Sequence, residues 1–187
     1  MSKKIGVIAE DKSDIESVIA FMEKYIPKNK FTVKFFVGKG CGKLKQKCGS
    51  WAETLVKGGC NHIFVFHDLD RNDENKLRSS LLKKVPSSTF PNSLIVIPKE
   101  ELEAWLLSDA NALKEVFSLP KIPQVIADCE TVTSPKERIR DIAWSLGKKR
   151  YLNTVHNKKL SEKVSLTNLR RCKSYGPFDA YVSKHIV

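Results

Sequence analysis

The chain of 187 residues carries 33 Lys and Arg against 21 Asp and Glu, a formal charge of +12, with 41% hydrophobic and 29% charged residues. This is enough chain for one domain with a real core, and the composition is that of an ordinary globular protein. No apolar run approaches the roughly 20 residues a membrane helix needs, and Met-Ser-Lys-Lys leads into too short an apolar stretch for a signal peptide, so a cytoplasmic protein without membrane contact is expected.

Residues 4–9 are apolar and β-branched enough for a buried strand. Ser13 or Asp14 is positioned to cap a helix whose Ile15, Val18, Ile19, Met22 and Ile26 recur at helical spacing before Pro27. Residues 31–37 read as a second strand. Gly38 to Gly42 breaks the chain, and residues 44–56 read as a helix ending at Gly58-Gly59. A third strand over 62–67 precedes a charged helix over 73–84. A fourth strand over 93–98 leads into a helix over 100–107 with Leu102, Trp105 and Leu106 inward. Strands alternating with helices at this spacing predict an α/β fold with a parallel sheet of about four strands flanked by helices.

Beyond Asp109 the alternation stops. Ser134-Pro135-Lys136-Glu137 is a helix start, with an N-cap, a first-turn proline and a capping-box Glu; Ile139, Ile142, Ala143 and Leu146 supply the apolar face. The expected organisation is an α/β core over 1–109 and a basic helical extension over 110–187 packed on it, one domain overall. Five cysteines at irregular spacing without a CxxC indicate neither a disulfide framework nor a zinc ribbon, so reduced thiols are expected. By their helical placement, Trp51, Trp105 and Trp144 are expected in the core.

Functional groups of a parallel sheet gather at the carboxyl ends of its strands. Glu10 ends the first predicted strand, with Asp14 four residues on; Asp68 and Asp70 end the third; Glu100, Glu101 and Glu103 follow the fourth. In extended chain, residues i and i+2 share a face, which would let Asp68 and Asp70 meet one ion. Each group has a plainer reading as acids of a first helical turn. Their joint placement argues instead for hard oxygen ligands of Mg²⁺ or Mn²⁺. Against this acidic edge stand cationic clusters: Lys39, Lys43, Lys45 and Lys47 in a Gly-rich segment, then Lys148, Lys149 and Arg150, then Arg170 and Arg171. Spaced cations suit a phosphate backbone, and nucleic acid is the expected partner. The loop Gly38-Lys39-Gly40-Cys41-Gly42-Lys43 lacks the Ser or Thr of a nucleotide phosphate loop, since Leu44 follows.

Val7-Ile8-Ala9-Glu10-Asp11-Lys12-Ser13-Asp14 and Val65-Phe66-His67-Asp68-Leu69-Asp70-Arg71-Asn72 together resemble the Toprim domain, which has a Glu ending its first strand, an Asp four residues on, and an Asp-x-Asp after its third strand. Asp11 stands where a small glycine is usual. The segment Glu101-Leu102-Glu103-Ala104-Trp105-Leu106-Leu107-Ser108-Asp109 is similar to one in a Toprim-like family of restriction-locus and unknown-function proteins, commonly encoded beside ATPases in phage-defence loci. Ser134-Pro135-Lys136 and Ser174-Tyr175-Gly176-Pro177-Phe178 are also similar to that family. The resemblance implies a Toprim-like Rossmannoid fold and a metal-dependent nuclease acting on DNA or RNA, transfer RNA included, with an ATPase partner. It implies Glu10 as general acid or base, Asp68, Asp70 and Glu103 at the catalytic metal, and Asp14 and Glu101 as further metal ligands. Lys12 and Arg71 join the cationic clusters as phosphate contacts. Three rivals stand: a receiver-like phospho-acceptor domain, disfavoured by the charge and by Asp70; a catalytically silent binding subunit; and a small RNA-maturation nuclease of the same type.

Overall fold

The computed structural model describes residues 2–187. Four parallel strands, β1 (Lys3–Ala9), β2 (Phe31–Val37), β3 (His62–Phe66) and β4 (Ser93–Val96), form one sheet in the order β2-β1-β3-β4. Helices α1 (Lys12–Met22), α2 (Cys41–Lys57), α3 (Glu74–Lys84) and α4 (Glu103–Leu106) follow strands one to four in turn. Beyond these come an irregular stretch over 118–134 and further helices: α5 (Ala110–Phe117), α6 (Pro135–Gly147), α7 (Asn153–Lys163), α8 (Leu166–Leu169) and α9 (Gly176–His185).

Strand alternation sorts the core into two layers. Ile8, Ile63, Val65 and Ile95 face α2 and α3 through Leu44, Cys48, Leu55, Leu77 and Leu81. Val7, Ala9, Phe64 and Phe66 face α1 through Ile15, Val18 and Phe21, and that cluster runs on into Leu113, Ile139, Leu160, Leu169 and Phe178 of the C-terminal helices. The last helix returns to the sheet: Phe178 meets Phe64 and Phe66 at ring-centroid distances of 5.3 and 5.6 Å. Gly6 permits the approach of α2, since a Cβ there would stand 2.6 Å from Ile63 and 2.9 Å from Leu55.

Several local expectations are corrected. The cap of α1 is Asp11, whose backbone N–H donates to Asp14 Oδ2 at 2.9 Å, while Ser13 is buried. That helix ends at Met22, five residues before Pro27. The helix expected over 100–107 is only Glu103–Leu106, because Glu100 takes a left-handed φ of 60° and breaks it. Trp105 is buried and Trp51 stacks on Phe36 at 5.3 Å, but Trp144 is 58% exposed. It lies on the outer side of α6, whose inner side is taken by Ile139, Ile142 and Ala143.

Candidate active site

The strand order reverses between β1 and β3, and the crevice outside the carboxyl ends of such neighbours is where open parallel sheets bind ligands. Glu10 leaves β1 there and Asp68 leaves β3. The Gly-rich loop closes on the same edge, with the Gly38 N–H donating to the Ala9 carbonyl at 2.8 Å and the Lys39 N–H to the Glu10 carbonyl at 2.9 Å.

The Asp68-x-Asp70 segment is not extended. Strand β3 ends at Phe66, and Asp70 and Arg71 take left-handed φ values of 48° and 60°. The turn is tied to the loop after β4 by the Leu69 N–H to Pro98 (3.1 Å) and the Asp70 N–H to Glu100 (3.0 Å). Asp68 Oδ1 accepts the Leu102 N–H at 3.0 Å, which joins it to the start of α4. Lys39, Asp70, Arg71 and Glu100 are four non-glycine residues at positive φ on this one edge. Backbone held in that region is strain of the kind that gathers at functional sites.

The carboxylates converge electrostatically. Burial, then Asp70, pushes the Glu10 carboxyl up to about 7, against the Asp68 N–H and Lys45. Burial, then Glu103 and the charges of Asp11 and Glu10, pushes Asp14 up to about 7. Asp68 is held well above the usual carboxylate range by burial and by Asp14, Glu103, Glu10 and Asp70. Burial raises Glu101 as well, with Glu103 and Asp70 adding to it and Lys136 opposing it. Glu103, 2% exposed, accepts from Asn157 Nδ2 at 3.0 Å and lies 3.1 Å from the Tyr151 hydroxyl.

Four residues that the sequence reading did not assign complete the site. Lys136, in the first turn of α6, sets its ammonium 3.7 Å from Glu103 and 3.8 Å from Glu101, and its backbone N–H donates to Glu101 Oε2 at 2.9 Å. Burial works to lower its pKa, but Glu103, Glu101, Asp68 and Asp14 together raise it. The signal in the sequence was the Ser-Pro-Lys helix start, which fixes where Lys136 stands but not what it faces. Tyr151 and Asn157 had no such signal. His67 Nδ1 lies 2.6 Å from the Asp68 carbonyl and 3.2 Å from Glu10 Oε1; burial lowers the ring pKa, so it stays neutral. Glu10 Oε1 and His67 Nε2 are buried without a hydrogen-bond partner.

A cleft of about 270 Å³ opens on this cluster, lined by Asp70, Arg71, Glu100, Glu101, Thr133, Ser134 and Glu137. Among the described residues, no three His, Cys, Asp or Glu side chains are closed round one point as a ready-made metal cage. The chemistry of the donors nonetheless fits a hard cation. They are carboxylate oxygens, they raise one another's pKa, and one buried oxygen of Glu10 is unpartnered.

The expected cationic residues divide. Lys45 stands close enough to lower the pKa of both Glu10 and His67. Lys39, Lys43 and Lys47 are exposed on the same loop and first turns of α2, Arg71 lines the cleft, and Lys12 pairs with Glu16 at 3.8 Å on the rim. Lys148, Lys149 and Arg150 follow the far end of α6, about 18 Å along the helix from Lys136. Arg170 and Arg171 are not a free patch: the first pairs with Asp179 at 3.1 Å and the second donates to the Ala127 carbonyl at 3.0 Å. The Ser174-to-Phe178 segment is support, with Ser174 Oγ accepting from Trp105 Nε1 at 2.8 Å and Tyr175 packed on Trp105 at 5.0 Å. Asp109 is an N-cap, accepting from Asn111, Ala112 and Ser165.

Fold and site together define an α/β protein with an acidic crevice at its sheet switch point and a basic rim. Over residues 9–182 the chain matches the family model described as a domain of unknown function (DUF4276), and it belongs to that family. No curated protein and no solved structure matches it.

Proposed function

We propose that this protein is a divalent-cation-dependent nuclease of the Toprim-like type, cleaving phosphodiester bonds of DNA or RNA at the acidic crevice. One observation carries the reading: Glu10, Asp14, Asp68, Asp70 and Glu103 crowd into a single half-buried cluster, in a chain of net charge +12. Carboxylates so crowded either keep protons or share a cation. A polyanionic substrate supplies the reason for the surrounding basic rim.

Asp68, Asp70 and Glu103 would hold Mg²⁺ or Mn²⁺, with Asp14 and Glu101 beside them. When bound, the ion neutralises charge on the scissile phosphate. Glu10, with its pKa near 7, is suited to take a proton from the attacking water or return one to the leaving oxygen. Neutral His67 borders Glu10 and leaves it free to exchange that proton. Tyr151 and Asn157 orient Glu103. The Lys136 ammonium faces the cluster from α6, where it can pair with a phosphate oxygen that enters the cleft. The resemblance to the defence-locus Toprim proteins extends the reading to a cytoplasmic effector of an anti-phage or restriction-type system, restrained or delivered by an ATPase partner.

The test is cleavage of supercoiled DNA, single-stranded DNA and total transfer RNA by pure protein with Mg²⁺, Mn²⁺ or EDTA, beside Asp68→Ala and Glu10→Ala. Metal-dependent cleavage lost in both variants is the expected result and names the substrate class. A protein that neither cleaves nor gains thermal stability from either ion refutes the reading and leaves a silent binding subunit.

A further inference from the structure

Among the described residues Trp144 is the most exposed of the large aromatic side chains, ahead of Phe35 at 46%. It is 58% exposed, whereas Trp105 is fully buried and Trp51 is stacked on Phe36. A tryptophan on a helix whose other face already fills the core contributes little to folding by its exposed part; an exposed aromatic alone is ordinary, but one set among cations has the make-up of a base-stacking site.

Its surroundings indicate what interacts. Arg140 and Lys148 lie four residues before and after it, hence as neighbours on the same helix surface. The Lys148 ammonium is 5.7 Å from the Trp144 ring centroid, within cation–π range. Lys149 and Arg150 follow at once, both exposed, and Leu152 beyond them is 41% exposed. Over residues 136–150, six Lys and Arg stand against Glu137 and Asp141, a local charge of +4. Glu137 is paired with Arg140.

The helix also gives this surface a direction. Lys136, in the first turn of α6, faces the carboxylate cluster, and Trp144 lies eight residues along the same helix. Eight residues span about 12 Å, the length of about three stacked nucleotides. An exposed ring interleaved with cations is the arrangement that takes single strands: a base stacks on the ring and its phosphates meet the ammonium groups. Duplex offers phosphates but no free base face.

We infer that the outer surface of α6, with Trp144 as stacking platform and Lys148, Lys149 and Arg150 as phosphate contacts, holds single-stranded nucleic acid running from the acidic crevice. This deepens the nuclease reading and rests on it for the identity of the crevice: the substrate class is a single strand, or a single-stranded flank of a structured one. The base occupies one face of the indole while Lys148 turns to the phosphate of the same nucleotide.

The test separates binding from cleavage. Binding of a fluorescein-labelled oligothymidylate of about twelve nucleotides, and of its duplex with oligoadenylate, is measured by anisotropy in EDTA across a salt series. Trp144→Ala should weaken single-strand binding about tenfold or more, leave duplex binding unchanged, and keep the salt slope. Trp144→Phe should retain most of the affinity. The triple Lys148→Ala, Lys149→Ala, Arg150→Ala variant should instead flatten the single-strand salt slope by about 0.7 for each phosphate it no longer neutralises. The inference is overturned if Trp144→Ala binds the single strand as wild type does, if it loses strand and duplex equally, or if wild-type protein binds no single strand. Trp144-dependent binding without metal-dependent cleavage would sink the nuclease reading and leave this surface standing. Cleavage that ignores Trp144 on every substrate would do the reverse.

Discussion

Replacing Asp68 with asparagine should stabilise the metal-free protein and, on the nuclease proposal, abolish cleavage. Asparagine keeps the Oδ1 acceptor that takes the Leu102 N–H at 3.0 Å, so the start of α4 stays tied down. What disappears is a carboxyl that burial and four acidic neighbours hold well above its normal pKa. Each pH unit over which the native state keeps a proton that the unfolded chain has released costs about 1.4 kcal/mol. Removing an ionisable group buried against like charges, with its one hydrogen bond kept, is worth on the order of 2 kcal/mol. For a chain of this size 2 kcal/mol is a rise in Tm of about 4–8 °C. The sign follows from raised native pKa values: stability is greatest below the unfolded values and falls as pH climbs through about 7, where Glu10 and Asp14 ionise. Thermal melts of both proteins in EDTA at pH 5, 7 and 8 should therefore show a gap that widens with pH. Added Mg²⁺ at about a hundred times its Kd should lift the wild type by about 2.7 kcal/mol and Asp68→Asn by clearly less. An Asp68→Asn protein that melts lower than wild type at pH 8, or by the same margin at pH 5 and 8, would refute the crowded-carboxylate argument.

Other substitutions probe separate parts of the site. If the proposed cleavage is observed, Glu10→Gln should cut its turnover by about 10²–10⁴-fold, and the wild-type pH–rate profile should contain an ionisation at or below about 7 that the variant lacks. Tyr151→Phe removes the hydroxyl lying 3.1 Å from Glu103 and 2.5 Å from Asn157. It should cost about 1–2 kcal/mol in denaturant titrations and diminish the Mg²⁺-induced rise in Tm. Trp105→Ala empties a buried site bounded by Phe21, Phe66 and Tyr175 and removes the indole N–H that donates to Ser174 Oγ. A loss of about 3–5 kcal/mol is expected by the same titration.

The sheet was legible because its signal is local. Residues 31–37 alternate and branch as a strand, and β2 occupies that span. Glu10 and Asp68 could be named from strand ends, since a parallel sheet sends all its strand termini to one edge, whereas the roles given to Asp14 in α1 and Glu103 in α4 came from the Toprim resemblance. The geometry of Asp70 could not be read locally, because its left-handed turn is imposed by bonds to residues 98–100 across the chain. Trp144 defeated the helical pattern for a related reason. Ile139, Ile142 and Ala143 already fill the inward stripe of α6, and a residue one position further round faces water. Lys136, Tyr151 and Asn157 reach Glu103 over 33 to 54 residues of sequence, and no local rule carries that distance.

Those long-range contacts bear on what the C-terminal half is for. Residues 110–187 break the strand–helix alternation, and Leu113, Ile139, Leu160 and Phe178 share one cluster with Val7 and Phe64 of the sheet. Removing them would strip the α1 face of the sheet to water, and no amount of charge on the remainder would offset that apolar exposure. It would also take away Lys136, Tyr151 and Asn157, leaving Glu103 buried less well but without the donors that hold its oxygens. The acidic residues of the crevice come from the sheet half, whereas the groups that orient Glu103 and balance its charge come from the helical half. A crevice built this way is completed only when the whole chain has folded, so a misfolded or truncated chain would carry the acids without their setting.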